Sequence, residues 1–234
     1  MRILHTNDLH GTLDERRVAV LSPERANADL YFDTGDCIKT GNLGIPLKPE
    51  SVWGMLAELR CTASVPGNRE SHILRSTFEA KIAGHQHPIL CANLYDKEGN
   101  RLLPPSIEIE SSSVRVGILG VMVPMVTDQM ASKSLSQMIW TQPIPVAIAI
   151  AQELRKSCDL VIALTHIGFK QDQQLAQSTE DIDFILGGHS HTVLDMPLKI
   201  GSTWICQSGS HGKFFGRYEW EPGTGLTSAE LVPM

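Results

Sequence analysis

The stretch Gly187-Gly188-His189-Ser190-His191 decides how the rest of this chain is interpreted. It follows Asp181-Ile182-Asp183-Phe184-Ile185-Leu186, which has the length and apolar character of a buried strand. Two histidines separated by one residue, on a Gly-Gly turn after a strand, can direct both imidazole rings at one cavity. Histidine is the commonest neutral ligand of divalent transition metals. The stretch therefore predicts part of a metal site, but a single His-x-His also occurs by chance in surface loops and needs support from elsewhere in the chain.

That support comes from the ends of four other candidate strands, each of which carries a residue of metal-ligand type. They are Asp8 and His10 after residues 2–5, Asp36 after 30–32, Asn68 after 62–65 and His166 after 160–164. In open α/β sheets, ligands bind beyond the carboxyl ends of the strands, so these loops are expected to meet in one crevice. Two carboxylates, one amide oxygen and four imidazoles are too many donors for one tetrahedral zinc and suit two ions.

Each of these residues also has an ordinary structural interpretation when it is taken alone. Asp8 fits an Asx-turn, Asp36 a loop carboxylate and Asn68 a helix N-cap. Their joint occurrence at successive strand ends is what favours a metal site. The predicted ligands are Asp8, His10, Asp36, Asn68, His166, His189 and His191.

Length and composition restrict the possibilities further. The chain has 234 residues, of which 42% are hydrophobic, so one compact domain is expected. Its net charge of -6 argues against a nucleic-acid backbone or an acidic membrane surface as the main partner. Its five cysteines are scattered without a Cys-x-x-Cys pair, which indicates reduced, buried thiols. We see no signal peptide and no membrane-spanning run, so the expected location is cytoplasmic.

Strands alternate with helices along most of the chain, which predicts an α/β protein. Helices are expected over residues 13–26, bent or broken near Pro23, then 50–59, from Asn68 to about 83, 144–156 and 172–177. Residues 89–92 are expected to form a strand and 107–121 a hairpin. From Met196 onward the pattern changes to short strands with Gly and Pro turns, which suggests a second sheet packed against the first.

The polar motifs also resemble those of a known family, the calcineurin-like metallophosphoesterases, and in particular the N-terminal catalytic domain of 5'-nucleotidases. The resemblance rests on motifs that occur in family order over residues 3–191, and 209–213 resembles the closing strand of that domain. The motifs are Leu4-His5-Thr6-Asn7-Asp8-Leu9-His10-Gly11, Asp33-Thr34-Gly35-Asp36, Pro66-Gly67-Asn68, Thr165-His166-Ile167-Gly168 and Gly187-Gly188-His189-Ser190-His191.

The resemblance implies a fold, a cofactor and an activity. The fold would be a four-layer α-β-β-α sandwich with two mixed sheets flanked by helices. Two divalent ions (manganese, iron, zinc or cobalt) would be held by two groups of residues that share Asp36. One group would be Asp8, His10, Asp36 and His191, and the other Asp36, Asn68, His166 and His189. A water between the ions would attack a small phosphate ester or anhydride, with nucleotides among the candidates, in line with the leaving oxygen.

The chain departs from the family at two positions. The third motif of the family reads Gly-Asn-His-Glu or Gly-Asn-His-Asp, and its histidine donates a proton and binds phosphate. Arg69 stands at that position here, and His72 replaces the aspartate that orients the histidine. Arginine can hold a phosphoryl oxygen, as Asn68 would, but it cannot act as an acid. Arg69 and His72, expected on one face of a helix start, are thus the candidate catalytic residues, with His72 as a hypothetical proton donor.

Because the usual acid is missing, an impaired protein that binds a phosphorylated ligand stays open as an alternative. A purely structural metal domain is less consistent with the complete ligand set.

The chain ends at Met234, so we expect a single domain over residues 1–234 without the C-terminal domain that sets nucleotide specificity. Substrate and oligomeric state are not predicted. His85 and His87 precede a strand and are expected at the surface, whereas a site role for His211 is left open.

Overall fold

The structure is a computed structural model that describes residues 1–234. It contains five α-helices, thirteen strands and one 3-10 helix at Ala131–Ser134. The helices are α1 (Glu15–Ala26), α2 (Ser51–Glu58), α3 (Arg75–Ile82), α4 (Pro143–Arg155) and α5 (Phe169–Ser178). The strands are β1 (Arg2–Thr6), β2 (Leu30–Asp33), β3 (Ala63–Ser64), β4 (Leu94–Asp96), β5 (Ser106–Ser111), β6 (Val114–Met122), β7 (Met138–Trp140), β8 (Leu160–His166), β9 (Phe184–Gly187), β10 (Leu198–Ile200), β11 (Thr203–Cys206), β12 (Phe214–Glu221) and β13 (Gly225–Pro233).

Two mixed sheets form the centre of the protein. The five-stranded sheet has the order β13-β12-β1-β2-β3, and the six-stranded sheet has the order β10-β11-β9-β8-β6-β5. In the first sheet β1, β2 and β3 run parallel; in the second, β6, β8, β9 and β11 do. Antiparallel strands complete the edges of each sheet. A separate ribbon pairs β4 with β7.

The alternation of side chains along the strands separates two hydrophobic cores. Ile162 and Leu164 of β8 belong to a cluster of 41 buried residues that includes the inner faces of both sheets together with α1 and α2. Val161 and Ala163, on the opposite face of β8, belong to a cluster of 15 buried residues with α4 and α5. Because successive strand residues point to opposite faces, one strand contributes to both cores. The predicted four-layer α-β-β-α sandwich is thereby confirmed.

Some expected elements differ from those observed. The tail does not form the second sheet, because β10 and β11 join β9 whereas β12 and β13 join β1. Helix α1 continues through Pro23 to Ala26 without breaking. The expected strand at residues 89–92 is reduced to an isolated bridge between Ser64 and Ile89.

The third expected helix begins later than predicted. Residues after Asn68 form turns, and α3 starts only at Arg75, with Leu74 as its N-cap. Asn68 is therefore not a helix cap, and Arg69 and His72 do not share a helix face. No helix in the structure is both long and apolar enough to cross a bilayer. All five cysteines are buried and free, as predicted.

Candidate metal centre

The loops that leave β1, β2, β3, β8 and β9 bring all seven predicted ligand residues to one end of the two sheets. His166 is the last residue of β8, and the others follow their strands within a few residues. Five of the seven adopt a left-handed backbone conformation with φ between 50° and 75°: Asp8, His10, Asp36, His189 and His191. Asp and His tolerate this region better than bulkier residues do. The tight turns aim each side chain back toward the gap between the sheets.

Asp8, His10 and His191 form a first group. Asp8 Oδ1 lies 3.2 Å from His191 Nε2 and 3.7 Å from His10 Nε2, and the two imidazole nitrogens are 2.9 Å apart. Asp8 Oδ1 is buried and has no hydrogen-bond partner. A buried carboxylate oxygen without a partner is costly, and two converging imidazole nitrogens complete a set of donors that fits a divalent cation. The residues present thus fit the expected ion.

Asp36, Asn68, His166 and His189 form the second group. Asn68 Oδ1 lies 2.9 Å from His189 Nδ1 and 3.3 Å from His166 Nε2, and Asp36 Oδ1 lies 3.6 Å from His166 Nε2. Asn68 Nδ2 donates to Asn42 Oδ1 at 3.1 Å, which turns the Asn68 oxygen toward the histidines. One oxygen of Asp36 also lies within 4.8 Å of ligand atoms of Asp8 and His10. Asp36 therefore stands between the two groups.

The pKa values of these side chains are compatible with the binding of a divalent cation. Burial raises the pKa of Asp8 to about 6, and burial together with Glu70 raises the pKa of Asp36 to about 7. Burial lowers the pKa of His10 to about 3 and that of His189 to about 4. Neutral imidazoles and ionised carboxylates are the forms that bind metal, so a bound cation would favour ionisation of both aspartates.

Hydrogen bonds behind the ligands fix their orientation. The Nδ1–H of His166 donates to the Thr34 carbonyl at 2.7 Å, which leaves its Nε2 free to face the site. Asn7 Nδ2 donates to Asp8 Oδ2 at 2.9 Å, and the backbone N–H of His189 donates to the same oxygen at 2.9 Å. Partners of this kind set the tautomer and the direction of metal ligands.

Two motif glycines are required because the backbone approaches the site closely. A Cβ on Gly67 would collide with Asp36 Oδ1 and would lie 2.8 Å from the His166 ring. A Cβ on Gly188 would lie 2.7 Å from the Thr34 carbonyl oxygen and 3.1 Å from Asp8 Oδ2. Any larger residue at either position would displace a candidate ligand.

Arg69 and His72 occupy different surroundings. The backbone N–H of Arg69 donates to Asp36 Oδ1 at 2.7 Å, and its guanidinium donates to the Lys39 carbonyl at 2.8 Å. The backbone of Arg69 is thus hydrogen-bonded to a candidate ligand of the site. The Nδ1 of His72 accepts the Leu74 N–H at 3.0 Å, and its side chain lines a small cavity with Asn42 and Met125. Burial lowers the pKa of His72, with Lys81 adding to the effect.

Three further histidines, His211, His85 and His87, lie in different surroundings. His211 lies beside the first group, with its ring centroid 4.6 Å from that of His10 and 5.8 Å from that of His191. Its backbone N–H donates to the Asp8 carbonyl at 2.8 Å, and its side chain is exposed. His85 is exposed as expected. His87, in contrast, is buried and its Nε2 lies 2.9 Å from Ser64 Oγ, so its predicted surface position is wrong.

Sequence reasoning missed two residues that support the site. Glu70 is fully buried, and its carboxylate accepts N–H groups from Asp36, Ile38 and Gly67 at 2.8 to 3.1 Å. Lys81 is also fully buried, and its ammonium faces four backbone carbonyl oxygens. Glu70 stands directly after Arg69 in the third motif, which was the available signal. Nothing in the sequence around Lys81 distinguishes it from a surface lysine.

Comparison with known proteins gives concordant results. The family model of the calcineurin-like phosphoesterases matches residues 1–193. An uncharacterized metallophosphoesterase from Bacillus subtilis, YunD, is 25% identical over 94% of this chain and 49% of its own length. A 5'-nucleotidase from Vibrio parahaemolyticus is 24% identical over 100% of this chain and 51% of its own length. The chain thus spans about half the length of these relatives.

A solved structure shows the same fold. The 5'-nucleotidase precursor from Thermus thermophilus superposes with a TM-score of 0.82 at 22% identity, covering 100% of this chain and 54% of its own. The identity of that pair is too low to indicate more than the fold. The family match over residues 1–193 includes every loop that carries a candidate ligand. The chain therefore belongs to the calcineurin-like phosphoesterases.

Proposed function

We propose that this protein is a metal-dependent phosphohydrolase that cleaves a small phosphate ester or anhydride. The observation that carries this proposal is the buried Asp8 Oδ1, which has no hydrogen-bond partner and faces the Nε2 atoms of His10 and His191. A second set of donors lies next to it, and Asp36 lies between the two sets. Such an arrangement is suited to two cations acting on one phosphoryl group.

The ligand assignment follows the two groups. Asp8, His10, Asp36 and His191 would hold one ion, and Asp36, Asn68, His166 and His189 would hold the other. When bound, two such ions supply Lewis-acid polarisation of the phosphoryl oxygens and an activated water. The mixture of imidazole and oxygen donors is compatible with manganese, iron, zinc or cobalt.

Arg69 affects which leaving groups this site can cleave. Its backbone N–H is held on Asp36, and its permanent positive charge adds to burial in lowering the pKa of His10, so the guanidinium lies near the first group and can bind a phosphoryl oxygen. It cannot supply a proton to the leaving group. His72 has a lowered pKa, so near pH 7 it is mostly neutral. We therefore expect efficient cleavage when the leaving group departs without protonation, as in anhydrides and aryl esters, and slow cleavage of alkyl esters.

Arg69 also supports a second candidate function. The Arg69 guanidinium donates to the Lys39 carbonyl, and Arg69 stands at the sequence position where the resembled family has its acid. A protein that captures a phosphorylated ligand and turns it over slowly or not at all would have this combination of intact ligands and missing acid. Hydrolysis of an activated ester separates the two functions.

The test is hydrolysis of p-nitrophenyl phosphate and its bis-ester by metal-free protein that has been refilled with manganese. The variants are Asp36→Asn, Arg69→His and, as a matched control, Asp128→Asn, which alters only an exposed ion pair with Lys133. Metal-dependent turnover that is lost in Asp36→Asn and retained in Asp128→Asn would support the phosphohydrolase. An inactive wild type that gains turnover through Arg69→His would favour the binding protein. Turnover that Asp36→Asn leaves intact would contradict both.

The proposal also covers the substrate, the domain organisation and the location of the protein. Some relatives bear the name 5'-nucleotidase, so nucleotides are candidate substrates, and which phosphate ester is preferred must be measured. Both sheets border one cluster of 41 buried residues, which supports treating residues 1–234 as one catalytic domain. The cytoplasmic location stays a prediction.

A further inference from the structure

A small cavity of about 130 Å³ lies beside the second ligand group. Its walls come from the loop after β2, the turn before α3 and the segment after β6; the lining residues are Asn42, Leu43, Ser71, His72, Ile73, Met125 and Val126. Four of the seven are hydrophobic. Apolar protein cavities of roughly 150 Å³ accept a benzene molecule. The volume and the lining therefore suit one aromatic ring.

The wall of the cavity contacts the candidate ligand Asn68 directly. Asn42, in its wall, accepts a hydrogen bond from Asn68 Nδ2 at 3.1 Å, and Ser71 Oγ donates to the Asn68 carbonyl at 2.9 Å. The other side of Asn68 faces His189 and His166. A phosphoryl group at the second ligand group would thus have the cavity next to it.

Lys81 fixes the walls of this cavity from behind. Its ammonium, fully buried, donates to the carbonyl oxygens of Asn42 at 2.9 Å and Ser71 at 3.1 Å, and also to those of Gly41 and Arg69. One side chain therefore holds the loop after β2 against the turn that carries Arg69. Hydrogen bonds to charged groups are stronger than neutral ones. The shape of the cavity is consequently held by these hydrogen bonds.

The lining of the cavity combines an exposed apolar side chain with an imidazole ring that can donate a hydrogen bond. Leu43 lines it while being 91% exposed, which leaves a hydrophobic surface for an occupant to cover. Inside, His72 Nδ1 accepts the Leu74 N–H, so in the neutral ring the hydrogen is on Nε2. That N–H can donate to an acceptor on the occupant.

We propose that this cavity is the leaving-group pocket and that it takes an aromatic ring carrying a hydrogen-bond acceptor. The proposal rests on the phosphohydrolase function proposed above and gives it a substrate class: esters whose phosphate is attached to, or closely followed by, an aromatic group. Leu43 and Met125 would contact the faces of the ring, and His72 would donate to its acceptor. Asn68 and Arg69 would hold the phosphate on the other side.

The first experiment compares kcat/KM for phenyl phosphate and methyl phosphate in the manganese-loaded protein. Leu43→Ser and Met125→Ala should lower the phenyl-to-methyl ratio about tenfold or more, because a hydrophobic contact of this size discriminates by ~10–200-fold. The change should lie in KM for phenyl phosphate, since the ring contact is the same in the ground state and the transition state. Leu47→Ser is the matched control, because Leu47 lies in the same loop, is exposed and does not line the cavity.

Leu43→Ser alters an exposed side chain, so it keeps the test valid even if Met125→Ala impairs folding. An unchanged ratio in Leu43→Ser, or an equal loss for both substrates, would overturn the pocket. So would a change of the same size in Leu47→Ser.

A second measurement separates the pocket from the catalytic function. Phenylphosphonate and methylphosphonate cannot be cleaved at the P–C bond in this way, and their dissociation constants can be measured by calorimetry. Tighter binding of phenylphosphonate, weakened by Leu43→Ser, supports the pocket even in a protein without turnover. Equal affinities for the two phosphonates overturn it even if the protein is an active phosphohydrolase.

Discussion

Glu70 accepts the backbone N–H of Asp36 at 2.9 Å and thereby places the carboxylate that stands between the two ligand groups. The same Glu70 side chain accepts the N–H of Gly67 at 2.8 Å and that of Ile38 at 3.1 Å. The loops after β2 and β3 are therefore held to each other by one buried acid. Because an ionised carboxylate only accepts hydrogen bonds, it matches this set of donors.

Replacing Glu70 with glutamine should loosen both loops. The amide NH₂ would oppose at least one backbone N–H, and a buried donor left without a partner costs ~1–3 kcal/mol. We also expect metal affinity to fall ~10–100-fold, as it does when partners behind metal ligands are removed. Thermal unfolding with and without manganese would measure both effects. Glu79→Gln is the control, since Glu79 makes only an exposed ion pair with Arg75, and an effect of equal size there would refute this role of Glu70.

Lys81→Met should destabilise the protein even in the absence of metal. The substitution keeps the apolar stem but leaves four carbonyl oxygens without their shared donor, and we expect a loss of about 3 kcal/mol in the free energy of unfolding. Urea unfolding of metal-free protein would measure it. Lys97→Met is the matched control, because Lys97 is exposed and donates to a single carbonyl at 3.3 Å. Equal midpoints for the two variants would contradict the structural role of Lys81.

The stabilisation by manganese should increase with pH. In the metal-free protein the pKa values of Asp8 and Asp36 are raised to about 6 and about 7, so each contributes stability at low pH that is lost as pH rises through those values. Metal binds the ionised carboxylates and reverses this loss. The pKa values of His10 and His189 are lowered to about 3 and about 4, so these rings are already neutral in this window.

The shift in melting temperature on adding manganese should therefore be several degrees larger at pH 8 than at pH 5.5, as linkage requires. Differential scanning fluorimetry at fixed metal concentration would measure it. Asp36→Asn should flatten the pH dependence, and Asp128→Asn should leave it unchanged. A shift that is constant across this range in the wild type would argue against ionisation of these aspartates on binding.

Arg69→His should change which esters are cleaved. Histidine can donate a proton where arginine cannot, so turnover of methyl phosphate should rise relative to that of p-nitrophenyl phosphate. General acids contribute ~10²–10⁴ in rate. Because the residue that would orient the new histidine is absent, we expect a smaller gain of about tenfold. Arg69→Gln removes the charge without adding an acid and should show no such gain. If Arg69→Gln gains as much as Arg69→His, the effect of Arg69 is electrostatic and not a missing proton.

The convergence of the seven candidate ligands could be predicted because each of them follows a strand whose apolar run is visible in the sequence. Asp8, Asp36 and His189 are examples, and the α/β class was predictable from the same runs, whereas the four-layer sandwich with two sheets was implied by the resemblance. The resemblance to a family added the division into two groups sharing Asp36, which the distances of the structure reproduce as a spatial arrangement.

What could not be predicted depends on contacts between distant residues. Residues 68–74 have the composition of a helix start, yet Glu70 is engaged with the N–H groups of residues 36, 38 and 67, so α3 begins only at Arg75. His87 is buried because Ser64, on β3, offers it a partner. The choice of sheet by β12 likewise rests on a pairing partner more than 180 residues away, as in the pairing of Leu4 with Arg217.

That last pairing has a consequence for biosynthesis. The neighbours of β1 in the sheet are β2 and β12, and β12 is synthesised long after β1. Asn7, which orients Asp8, accepts hydrogen bonds from Ser208 and donates to the carbonyl of Gly209. A nascent chain released from the exit tunnel as far as His191 would already carry all seven candidate ligands and still lack the segment that positions Asp8. The candidate metal centre could thus form only after Ser208 and Gly209 have been made, and chains that stop before them would not assemble it.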